Sequence, residues 1–99
     1  MAIIGRFTKS DDGYVGTIRT LSINAKARFA PAAGGQDKAP DFRVFAGEGE
    51  IELGAAWIKK ARETGRAYLS VKLDDPSFPQ PIHASLVEAE GGFRLIWSR

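Results

Sequence analysis

Cysteine is absent from the chain, which excludes disulfide staples and thiolate chemistry and leaves stability to packing. Histidine occurs once, at position 83, so a zinc ion would have to be held by carboxylates against its preference for nitrogen and sulfur. No uninterrupted run of about 18 apolar residues exists to cross a bilayer as a helix. The opening Met1-Ala2-Ile3-Ile4-Gly5-Arg6 lacks the charged start and long apolar stretch of a signal peptide. Both absences predict a cytoplasmic protein without a membrane partner. Charge of one sign is scarce too: fourteen Lys and Arg oppose twelve Asp and Glu, a net of +2, which is far from a polycationic tail. The surplus is uneven, with six basic against three acidic residues in positions 1–40 and eight against nine thereafter.

Motifs of catalysis are missing as well. No GxGxxG follows a predicted strand and no P-loop occurs, so Gly5, Gly13 and Gly16 read as turn and bulge positions. Nucleophilic catalysis needs a base beside the nucleophile, and His83 sits in a strand between Ile82 and Ala84, pointing off their face into solvent. Asp74 and Asp75 run into Pro76 as turn starters whose side chains diverge. The expectation is a non-enzymatic module with no catalytic residue, no metal ligand and no cofactor.

What the chain does contain is period-two alternation, the mark of strands with one buried face. Ninety-nine residues at 43% hydrophobic suit one domain, residues 1–99, around one modest core. Ile3 to Thr8 reads as a first strand, turned by Ser10-Asp11-Asp12-Gly13 with the glycine taking positive φ. From Tyr14 to Phe29 the apolar positions shift from even (Tyr14, Ile18) to odd (Leu21, Ile23, Ala25, Ala27, Phe29), which predicts a bulge or bend near Arg19-Thr20. Residues 31–40 form the longest loop, and Phe42 to Ala46 a short strand. Beyond the Gly47-Glu48-Gly49 turn, Ile51, Leu53, Ala55 and Trp57 alternate onto one face.

Residues 54–64 admit either a short helix capped by Gly65 or a hairpin around Glu63-Thr64-Gly65, and the alternation running through Trp57 favours the hairpin. Ala67, Leu69, Val71 and Leu73 mark the clearest strand, with Tyr68, Ser70 and Lys72 on its other face. Three prolines stiffen the connection over 74–81, after which Ile82, Ala84 and Leu86 pair through Glu90-Gly91-Gly92 with Phe93, Leu95 and Trp97. The sum is an all-β fold, a small curved sheet or barrel of seven to eight short antiparallel strands, with at most one short helix near residues 55–64. Gly5, Phe7, Lys9, Gly13, Tyr14 and Ile18 share a loose template with Gly54, Trp57, Lys60, Gly65, Tyr68 and Val71. Duplication of a hairpin and the limited vocabulary of hairpins both account for it.

The runs Gly16-Thr-Ile-Arg-Thr-Leu21, Lys38-Ala-Pro-Asp-Phe-Arg-Val-Phe45, Leu53-Gly-Ala-Ala-Trp57, Tyr68-Leu-Ser-Val-Lys-Leu-Asp-Asp-Pro-Ser-Phe-Pro79 and Ile96-Trp-Ser-Arg99 resemble the bacterial family catalogued as domain of unknown function 736. The resemblance spans nearly the whole chain. It implies context: small bacterial proteins, often encoded near plasmid-maintenance and conjugative-transfer genes, which points to work on or around DNA. It transfers no activity and no catalytic residue.

Two binding surfaces follow from the residues. Opposite the apolar set of 21–29 lie Ser22, Asn24, Lys26 and Arg28, a polar and basic face suited to phosphates, joined on outward faces by Arg43 and Lys72. Tyr68 beside Lys72 offers a stacking platform next to a cation, and Lys59, Lys60, Arg62 and Arg66 crowd a hairpin tip. DNA or RNA is the partner these residues imply, while an ordinary solvated face with lysines against edge aggregation would look the same. The alternative is a protein partner or a homo-oligomer. Its contacts would run through an open sheet edge and three apolar side chains, Phe45 and Ile96 out of phase in their strands and Phe78 in the proline-rich loop.

Overall fold

Every strand turns alternate small or apolar side chains to one side, and the sheet they form closes on itself. The structure, a computed structural model, describes residues 2–21, 23–32, 39–47, 51–76 and 78–97. The strands are β1 (Ala2–Ser10), β2 (Gly13–Arg19), β3 (Asn24–Pro31), β4 (Phe42–Ala46), β5 (Ile51–Lys60), β6 (Ala67–Leu73), β7 (Ile82–Ala89) and β8 (Gly92–Trp97). Each lies antiparallel to the next and β1 pairs with β8, giving a closed up-and-down barrel with no helix among the described residues. The hairpin reading of 54–64 therefore holds: Lys60 pairs with Ala67, and the Ala61 N–H donates to the Arg66 carbonyl across the turn.

Eight strands leave an interior that side chains just fill. Ile18, Phe29, Val44, Leu73, Leu86 and Leu95 are fully buried there, and the Phe7 and Phe29 rings meet edge to face at 5.1 Å. Tyr14 closes the end that carries the β1–β2 turn, its ring edge-on to Phe29, Phe42 and Phe93 at 6.0, 5.7 and 4.9 Å. The opposite end is stoppered by Phe78, Ile82 and Trp97, all partly buried against the core.

Two β-bulges bend the wall. One falls between Ile3 and Gly5 in the β1–β8 ladder, the other at Leu53-Gly54 opposite Val44 and Phe45 in the β4–β5 ladder. They occupy equivalent places in two four-stranded halves, since Gly5 pairs with Leu95 as Gly54 pairs with Val44. The equivalence extends to the partner strands, where Phe42-Arg43-Val44-Phe45 matches Phe93-Arg94-Leu95-Ile96. The shared glycine of the hairpin template thus has a structural meaning. The aromatic does not, because Phe7 points in and Trp57 points out.

Three local expectations are corrected. The phase change near residue 20 is a turn between two strands, with Thr20 N–H donating to the Ile23 carbonyl and Leu21 wholly exposed at its tip. The bulge at Leu53-Gly54 flips the phase of β5, so Ala56 is buried while Ala55 and Trp57 face outward beside Lys72 and Ser70. In the β1–β2 turn it is Asp11, at φ 44°, that takes the left-handed conformation. Gly13 is needed for another reason: a Cβ there would collide with the Phe29 carbonyl oxygen. The centre of the 31–40 loop, residues 33–38, lies outside the described residues.

Candidate nucleic-acid interface

Residues directly opposite each other across an antiparallel ladder share a side of the sheet. Because the apolar set fills the barrel, the polar set is forced outward, and the ladders place it in register. Arg94 pairs with Arg6, Arg6 with Thr17, and Thr17 with Lys26, so one row runs over β8, β1, β2 and β3 with neighbours about 4.8 Å apart. Arg28 follows Lys26 two residues along β3, its guanidinium 4.8 Å over the Phe45 ring. Arg19 lies on the same outer side at the end of β2, paired with Asn24.

The sign of the surface is set by what these strands omit. β8, β1, β2, β3 and β4 are contiguous in the barrel and contain no Asp or Glu, while they hold Arg6, Lys9, Arg19, Lys26, Arg28, Arg43 and Arg94. Cations on a carboxylate-free sheet reinforce one another's field. Arg43, at the border, is the exception: it pairs with Glu52 of β5 at 2.5 Å, both side chains half exposed.

A second group sits on β5 and β6. Lys59 pairs with Tyr68, Trp57 with Ser70 and Ala55 with Lys72, so two half-buried aromatic side chains lie between two exposed lysines. Since Leu69 pairs with Leu86, the next residues out, Tyr68 and Val87, are neighbours, and Val87 pairs with Arg94. The aromatic patch and the arginine row therefore belong to one belt around the barrel.

The residues expected from sequence divide accordingly. Lys26 and Arg28 join the arginine row, while Lys59, Tyr68 and Lys72 form the aromatic patch. Arg43 is tied to Glu52; Lys60, Arg62 and Arg66 are exposed at the far end of the β5–β6 hairpin, with Arg66 3.9 Å from Glu88. Ser22 lies outside the described residues. His83 is exposed opposite Lys72, and the Asp75 carbonyl accepts the Phe78 N–H in a turn.

The three apolar residues expected to be open do not form a patch. Phe78 packs against the core, Phe45 is half-buried under Arg28, and Ile96 is half-buried on the outer face opposite Ile3. Pairing of β1 with β8 also leaves no free edge for strand addition. Sequence inspection missed Arg6, Arg19, Arg94 and Trp57. Only the surplus of base over acid in residues 1–40 hinted at the first two.

The fold and surface define a small closed β-barrel in which five adjacent strands, β8, β1, β2, β3 and β4, carry basic residues and no carboxylate. The family model described as "Protein of unknown function (DUF736)" matches residues 3–99, and the chain belongs to that family. No curated protein and no solved structure matches it.

Proposed function

We propose that this barrel is a non-enzymatic nucleic-acid-binding module that holds a single strand on its outer surface. The observation that supports this most is the run of five adjacent strands bearing basic residues and no carboxylate. Arg6, Lys26, Arg28 and Arg94 contact phosphates, and Tyr68 and Trp57 stack bases between Lys59 and Lys72. A single strand is favoured over a duplex because stacking on a half-buried aromatic needs a base whose face is free. No helix stands out from the convex wall to enter a groove among the described residues.

Fluorescence anisotropy with labelled single- and double-stranded oligonucleotides tests the reading. Neutralising three or four phosphates of a single strand should weaken binding roughly 20- to 50-fold between 50 and 200 mM salt, with the duplex weaker at every salt. If neither oligonucleotide binds at low salt, the proposal is wrong.

A further inference from the structure

Beside the β7–β8 turn lies an open surface groove of about 350 Å³, lined by Arg6, Thr8, Val15, Glu90, Gly92 and Arg94 among others. Arg6 and Arg94 face each other directly across the β1–β8 ladder. Like charges so placed repel and destabilise a sheet. Neither side chain makes an ion pair or a hydrogen bond among the described residues. Arg94 is half-buried, so its charge is poorly screened by water. Glu90, at the turn, is the groove's single carboxylate among the described residues.

Resting on the nucleic-acid reading, we infer that this groove is the anchoring site for one phosphodiester group of the bound strand, bridged by the Arg6 and Arg94 guanidiniums. Guanidinium forks match phosphate oxygens in pairs, and the Thr8 hydroxyl supplies a further donor. Two guanidiniums and one carboxylate leave a net charge of +1, which complements a diester's single negative charge better than a terminal phosphate's two. Glu90 thereby sets the preference for internal linkages over phosphorylated ends. The bound group also relieves the repulsion that the empty pair imposes on the barrel.

The test combines oligonucleotide binding with thermal melting. With an oligothymidylate lacking terminal phosphate, Arg6→Gln and Arg94→Gln should each lose about tenfold in affinity or more. The double variant should lose little beyond a single one, because both side chains grip the same group, whereas the losses of Arg6→Gln and Lys26→Gln should multiply. Without ligand, both single variants should melt a few degrees higher than the parent, which separates lost binding from lost folding. Glu90→Gln should strengthen binding of a 5′-phosphorylated oligonucleotide more than of its unphosphorylated counterpart. If the Arg6 and Arg94 losses multiply and neither exceeds that of Lys26→Gln, the groove is no site although the basic face still binds. If no oligonucleotide binds at all, the nucleic-acid reading fails by itself. Dimethyl phosphate then decides the groove: a rise in melting temperature confined to the parent supports the clamp, and no rise overturns it.

Discussion

Glycine 16 shows how tightly single positions constrain the barrel. A Cβ built there collides with the Arg6 carbonyl oxygen, so the neighbouring backbone leaves no room for a methyl group. Gly65 differs: its φ of +70° needs glycine for conformation, yet nothing lies within 4 Å of an added Cβ. Gly65→Ala should therefore cost about 1 kcal/mol, the penalty of the left-handed region. Gly16→Ala should cost about 3 kcal/mol or more because β1 and β2 must separate. Urea unfolding of the two variants compares them directly. Among large side chains, Phe29 is 2% exposed and touches both Phe7 and Tyr14. Its replacement by alanine should lower stability by about 3–5 kcal/mol in the same measurement.

Strands were legible in the sequence wherever alternation ran uninterrupted. Ala67 to Leu73 is a strand with Leu69, Val71 and Leu73 inside, as its pattern implies. Alternation failed where the ladder slips, because a bulge changes phase without changing residue types. Leu53-Gly54 looks like any apolar-glycine pair, yet it turns Trp57 from the core to the surface. Trp57→Ala should accordingly cost only about 1–2 kcal/mol of stability, less than half the loss expected for a buried aromatic. A loss as large as that of Phe29→Ala would place Trp57 inside and contradict the register. The turn at 20–23 misled for a similar reason, since Leu21 and Ile23 continue the odd-numbered apolar series across a reversal of the chain.

At the scale of the molecule, the basic surface was half legible. Lys26 and Arg28 share a strand, and their common face follows from period two alone. Arg6 and Arg94 stand near opposite ends of the sequence, and only closure of β1 on β8 makes them neighbours. Pairing between such distant segments leaves no local trace, so the groove they line could not be read from residue order. The resemblance to the DUF736 family spans nearly the whole chain, as the match over residues 3–99 bears out, yet it assigns none of these residues a role.

The ladder partner of Ala2 is Trp97, so the two ends of the described chain meet at the same seam. A short peptide linker joining them would make the backbone circular without disturbing any strand. Such a tether removes loop-closure entropy from the unfolded chain, worth about 5 kcal/mol for a ring of nearly a hundred residues. Circularised protein should unfold at higher urea than its linear form and refold faster, because the slowest contact to find is already made. Equal midpoints for the two forms would mean that the seam does not hold the barrel shut.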